Sequence, residues 1–184
     1  MIKEALFNNY NKPKDKPREI GKYYASELWY IYKGYTNPTS FFKPKPTDKQ
    51  GIANMFIGSA MEDRLVKVLA EENEGYETQT RHELEIDKGL VISGKTDLED
   101  KDKVIELKCP MEETYGVPDK WKFQMEFYHR ATGKEVILGI FYKNDPELIR
   151  FFKYEPSDET WELIQNTIKE FHFKLVKKYD KTMS

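Results

Sequence analysis

The sequence predicts an α/β protein, a mixed central β-sheet flanked by helices. Three observations predict it. The spacing of apolar residues changes along the chain from helical to alternating, back to helical, then alternating and helical once more. That order places helices before, between and after the strands, which covers a sheet on its faces. Composition is the third: 184 residues, 39% hydrophobic and 14% aromatic, are enough for a packed core.

Each element has its own signal. Residues 11–18, "NKPKDKPR", read as an exposed basic loop broken by proline. A helix is predicted over 19–34, with Ile20, Tyr23, Tyr24, Glu27, Leu28 and Ile31 at helical spacing and Gly34 as its cap. Residues 36–50 hold three prolines and read as a loop. A long helix is predicted over 51–75, with Ile52, Met55, Phe56, Ser59, Glu62, Leu65, Val66 and Leu69 as its inward stripe. Three alternating stretches follow, 80–87, 90–100 and 103–110, joined by turns at Lys88-Gly89 and Lys101-Asp102. They read as an antiparallel meander. Residues 119–131 return to helical period. Residues 134–143 and 148–155 read as two strands joined across Asn144-Asp145-Pro146. A last helix opens at Ser157, with Trp161, Ile164, Ile168, Phe171 and Leu175 on one face and lysines toward its C-terminus.

Charge and cysteine content narrow the classes. Thirty Lys and Arg oppose thirty-two Asp and Glu, so there is no global basic footprint, and any polyanion must be held by local patches. One cysteine excludes an internal disulfide and an intramolecular Cys-based zinc or iron–sulfur site. No apolar run nears the roughly 18 residues of a membrane span, so no membrane partner is expected. The N-terminus lacks a secretory apolar region. An intracellular, cytoplasmic protein is expected, in the host cell cytoplasm if the chain is viral. The length favours one domain, with 1–50 as a helical and loop arm and 51–184 as its core.

The stretch "KVIELKCP", 103–110, is a core-like strand carrying Glu106 and Lys108. Alternation puts Val104, Glu106 and Lys108 on one face and Ile105, Leu107 and Cys109 on the other. A solvent-facing Glu–Lys pair is one reading. Asp97, near the end of the preceding strand, favours another, because it can approach Glu106 across the pair. Two adjacent carboxylates call for a cation between them, and oxygen ligands suit Mg²⁺ or Mn²⁺. Glu62 lies on the inward stripe of its helix. Either its stem packs while its carboxylate reaches water, or the helix delivers a third acid to the same site. A cation held by three acids beside a lysine is a hydrolytic constellation.

These residues resemble the PD-(D/E)XK nuclease superfamily, in its RecB-like branch, which includes recombination exonucleases and CRISPR-adaptation exonucleases. The resemblance runs from residue 20 to about 155. It rests on Gly58 with Glu62 on a helix, "GKTD" ending at Asp97, "ELK" with Glu106 and Lys108, and Gln124 and Tyr128 four apart in "QMEFY" as a Q-x-x-x-Y motif. It implies a restriction-endonuclease-like fold and a Mg²⁺- or Mn²⁺-dependent deoxyribonuclease, an exonuclease of DNA processing or recombination whose products carry 5′-phosphates. Glu62, Asp97, Glu106 and the Leu107 backbone carbonyl would be metal ligands. Lys108 would be catalytic together with Glu106 and Asp97, and Gln124 and Tyr128 would support the site and touch substrate phosphates. Many relatives carry histidine where this chain has Glu62. Many also hold an iron–sulfur cluster on four cysteines, whereas this chain has Tyr23-Tyr24-Ala25 in the first of those regions and no cysteine in the last, so no cluster is expected.

The implied partner is DNA, as single strands or duplex ends, and nothing names a protein partner. Phosphate contacts would come from Lys12, Lys14, Lys16 and Arg18, from Lys43, Lys45 and Lys49, or from Lys120, Lys122 and Arg130. Phe41, Phe42 and the tyrosines of 23–35 could stack unpaired bases, though at helical spacing most suit a core. The competing expectation is a catalytically inactive DNA- or protein-binding module on the same fold.

Overall fold

The computed structural model describes residues 18–42 and 48–180. Lys12, Lys14, Lys16, Lys43 and Lys45, named above as phosphate contacts, lie outside the described residues, as does the side chain of Lys49.

The first helix predicted over 19–34 is only partly helical. Residues Lys22–Tyr24 form a strand, β1, followed by a 3-10 turn, Ala25–Glu27, and a short helix α1, Leu28–Tyr32. The cause lies at Gly21, whose φ is +97° and whose added Cβ would stand 2.6 Å from the Gly89 carbonyl oxygen. Only glycine permits that approach. It lets the Gly21 carbonyl accept the Val91 N–H at 2.7 Å and starts a parallel pairing of Lys22–Tyr24 with Val91–Ser93. Glu27 then closes the turn, its Oε1 accepting the Tyr24 N–H at 3.0 Å.

The long helix α2 spans Lys49–Glu72 and is capped by Asp48, whose side chain accepts the Gly51 N–H at 2.6 Å. Its predicted stripe is interrupted, with Ile52 buried at its start but the next positions open to solvent. Leu65, Val66, Leu69 and Ala70 pack over Leu98, Ile105 and Leu107. Met55 and Phe56, in the first half, stay about half exposed.

The strands are β2 (Glu77–Thr78), β3 (Arg81–Asp87), β4 (Leu90–Lys95), β5 (Leu98–Glu99), β6 (Lys103–Lys108), β7 (Glu135–Tyr142) and β8 (Asp145–Lys153). The last two helices are α3 (Asp119–Thr132) and α4 (Asp158–Asp180). The predicted strand over 90–100 breaks at Thr96-Asp97, so the meander is divided between two mixed sheets, β1-β4-β3 and β2-β5-β6-β7-β8. The break is held from outside the strand. The Thr96 N–H donates to the Thr80 carbonyl at 2.9 Å, and the Asp97 carbonyl accepts the Gln79 N–H at 3.2 Å. After it the chain leaves β3 and pairs with β6. Helix α3 is the crossover that makes β6 and β7 parallel, and β7 returns antiparallel to β8.

Strand β6 is buried on both faces. Val104 joins the larger core with Tyr23, Leu28, Ile92, Met125, Phe127, Leu138 and Ile164. Ile105 and Leu107 join the smaller core under α2. A solvent-facing β6 is thereby excluded. Each fully buried aliphatic side chain here contributes roughly 1.5–3 kcal/mol. Helix α4 covers the larger core with Ile164, Ile168, Phe171 and Leu175, as its spacing predicts. Among the described residues no helix is long and apolar enough to cross a membrane.

Candidate active site

The β5–β6 register pairs Leu98 with Ile105 and Glu99 with Val104, which brings Asp97 alongside the end of β6. Asp97 stands in for a missing strand partner there, its Oδ2 accepting the Leu107 N–H at 2.7 Å. Within a strand a residue's N–H and C=O point to the same edge. The Leu107 carbonyl therefore points to the edge where β5 has already ended.

Glu106 is 2% exposed. Its Oε1 accepts both the Lys108 ammonium and the Gln124 amide, the latter at 2.7 Å. Gln124 Nε2 also donates to the Tyr128 hydroxyl at 2.9 Å, and that hydroxyl donates to the Lys95 carbonyl at 2.7 Å. The Q-x-x-x-Y pair thus ties α3 to both sheets and fixes the Glu106 carboxylate between them. This is possible because Gly94 has no side chain: a Cβ there would lie 2.5 Å from the Phe127 ring and 2.9 Å from the Tyr128 ring.

Glu99, Glu106 and Glu126 are the most deeply buried glutamates among the described residues, and comparing them singles out one. Glu126 uses both oxygens, accepting from Arg130 Nε, the Tyr154 hydroxyl and the Ser157 N–H. Glu99 also uses both, bonding to His82 and the Thr96 hydroxyl on Oε2 and to Lys134 on Oε1. Glu106 Oε2 is buried with no hydrogen-bond partner. Burying a carboxylate oxygen unpaired is costly, which marks a place for a ligand.

Glu62 reaches the same region from α2. Burial raises its pKa, Lys108 lowers it, Asp97 raises it, and the Cys109 backbone N–H lowers it, leaving a net rise. Asp97 is raised by burial against the pull of Lys108 and the Leu107 N–H. Glu106 is raised by burial and by the charges of Asp97 and Glu62. Lys108 feels all three acids, and against its own burial they hold it well above the ordinary lysine range. The two directions have different origins: burial lifts the three carboxyls against the pull of Lys108, and their charges lift the ammonium against its own burial. With every acid ionised, three negative charges and one positive leave −2, which one divalent cation neutralises.

As their side chains stand, no three acids, histidines or cysteines among the described residues close into a metal cage. Lys108 occupies Glu106 Oε1, and the Leu107 N–H occupies Asp97 Oδ2. The donor set nonetheless fits a hard cation. It consists of oxygens, it carries the right charge, and it holds one buried oxygen without a partner. Cys109 is 6% exposed, and burial pushes its thiol up to about 11, so the thiol is inert and only its backbone meets Glu62.

A pocket of about 260 Å³ opens beside Gln124 and Tyr128, lined also by Ser26, Arg81, Ser93 and Lys95. None of these four was singled out in the sequence. The signal was present in the hairpin register, since the turn at Lys88-Gly89 sets Arg81 opposite Lys95. Among the expected phosphate contacts, Arg18 is committed to Glu27 and the Phe41 carbonyl, and Arg130 to Glu126 and Asp158. Phe41, 1% exposed, and Tyr23, 0%, belong to the core and are not free to stack on bases.

No family model matches the chain, and no curated protein sequence matches it. Solved structures do. The chain is similar to the alkaline exonuclease LHK-Exo from Laribacter hongkongensis, at TM-score 0.63 and 14% identity, covering 98% of this chain and 100% of that one. LHK-Exo in complex with dAMP matches at TM-score 0.66 and 16% identity, over 89% and 92% of the two chains. A phage-related exonuclease from Haemophilus somnus 129PT matches at TM-score 0.54 and 14% identity, over 89% and 96%. At these identities the likeness is one of fold: the mixed α/β architecture predicted from the sequence is the one these exonucleases have.

Proposed function

We propose that this chain is a metal-dependent deoxyribonuclease of the PD-(D/E)XK type, in its RecB-like branch, acting as an exonuclease on DNA. The observation that supports it most is the gathering of Glu62, Asp97 and Glu106 around Lys108, with Glu106 Oε2 buried and unpaired. Mg²⁺ or Mn²⁺ held by Glu62, Asp97, Glu106 and the Leu107 carbonyl would polarise a phosphoryl oxygen and acidify a bound water.

The chain's own residues supply the rest. Lys108 orients the attacking water and offsets the negative charge that builds on the phosphate. Water adds to phosphorus, the bond to the 3′-oxygen breaks, and the 5′-phosphate stays on the released product. Gln124 and Tyr128 hold Glu106 in place. Beside them the pocket with Ser26, Arg81, Ser93 and Lys95 offers hydroxyls and cations to a substrate phosphate. The whole chain is read as one such domain, its N-terminal arm contributing β1 to the sheet that contains β4.

The test is cleavage of labelled single-stranded and duplex DNA with Mg²⁺, Mn²⁺ or a chelator. Cleavage is expected only with metal, and Lys108→Ala and Asp97→Ala are expected to abolish it while circular dichroism stays unchanged. Undiminished cleavage in both variants refutes the assignment. DNA binding without Mn²⁺ uptake by calorimetry would show a binding module instead.

A further inference from the structure

We propose that Trp29, Tyr30 and Tyr35, with Lys33 among them, form a stacking platform for unpaired nucleotides that delivers a single DNA strand to the Glu106–Lys108 site. The purpose of the platform rests on the nuclease reading above; its geometry does not.

The three rings are in mutual contact. Trp29 lies 5.3 Å from Tyr30 at 90° and 5.7 Å from Tyr35 at 56°, and Tyr30 lies 6.4 Å from Tyr35 at 52°. None of these pairs is stacked face to face. Tyr30 is 43% exposed and Tyr35 68%. The core beneath is built by Tyr23, Leu28, Ile31 and Phe41, with Trp29 packed against it. The two tyrosines are therefore not required for packing, and their grouping at the surface calls for another cause.

Charge and position name the occupant. Lys33 Nζ lies 5.9 Å from the Trp29 ring and 5.1 Å from the Tyr32 ring. Tyr32 in turn packs on Phe123 at 5.3 Å, and Phe123 is the residue before Gln124, which holds Glu106. One side chain thus separates the platform from the helix that holds the catalytic carboxylate. Lys120, over the Trp121 ring, and Lys122, paired with Asp119, extend a cationic rim along the first turn of α3. Aromatic rings interleaved with ammonium groups suit bases and phosphates of a single strand. A protein interface would instead exclude lysine from its centre.

The experiment measures binding by fluorescence anisotropy, using labelled oligothymidylate and a blunt duplex of equal length. The Lys108→Ala background prevents cleavage. Tyr30→Ala with Tyr35→Ala is expected to weaken single-strand binding roughly 5- to 150-fold, the effect of losing one stacked base. Duplex binding is expected to hold within about twofold, and the melting temperature to stay unchanged. Phenylalanine at both positions is expected to restore binding. Equal losses on both DNAs, no loss on either, or a loss without rescue by phenylalanine overturns the platform. Cleavage by Lys108→Ala would refute the nuclease reading and leave the binding result standing, so the two failures are distinguishable.

Discussion

Replacing Gln124 by methionine keeps most of the buried volume and removes two hydrogen bonds. Glu106 Oε1 loses the amide donor at 2.7 Å and keeps only Lys108, while Oε2 already has no partner. The Tyr128 hydroxyl loses its donor at 2.9 Å and keeps the Lys95 carbonyl as acceptor. A hydrogen bond to a charged group contributes roughly 1.5–3 kcal/mol, and Glu106 is too buried for water to replace it. The expected destabilisation is therefore about 1.5–3 kcal/mol. For a chain of this length that lowers the melting temperature by roughly 3–12 °C. Removing a donor from a carboxylate also disfavours its charged form, so cleavage should require higher pH and more Mn²⁺. Differential scanning calorimetry at neutral pH gives the first number, and Mn²⁺ titration of cleavage gives the second. A Gln124→Met protein that melts within about 1 °C of the parent and needs no more Mn²⁺ would show that the amide does not position Glu106.

Two other outcomes follow from the same geometry. Gly94→Ala places a methyl 2.5 Å from the Phe127 ring and 2.9 Å from Tyr128, so α3 must move off β4. A loss of about 1–3 kcal/mol in urea unfolding is expected, with a fall in cleavage because Tyr128 and Gln124 move together. Glu99 is pushed up by burial, but the His82 hydrogen bond and charge, the Thr96 hydroxyl and Lys134 outweigh this and leave its pKa below the usual glutamate range. A depressed carboxylate stabilises the fold fully above the unfolded pKa of about 4.3 and loses that contribution as pH falls through the folded value. Glu99→Gln is thus expected to flatten the decline of melting temperature below about pH 4.3, and an unchanged acid limb would contradict it.

The local pattern of the chain determined much of this architecture by itself. The turn at Lys88-Gly89, the helical period of α3 and the apolar face of α4 are written in short-range spacing, because helix and strand periods are local properties. So is the placement of Glu106 and Lys108 two residues apart, and of Gln124 and Tyr128 one helical turn apart. Tertiary structure decided what these elements meet. Tyr23 and Tyr24 have helical spacing but enter a strand, because Gly21 can approach Gly89, which lies far along the sequence but adjacent in space. The stretch 90–100 alternates throughout, yet it breaks at Asp97 because Thr80 and Gln79 capture its backbone. Spacing could mark Glu106 as an acid in a strand. Only packing on both faces of β6 could bury it, give one oxygen to Lys108 and Gln124, and leave the other without a partner. Burial and hydrogen-bond satisfaction depend on segments distant in sequence, and no local period encodes them.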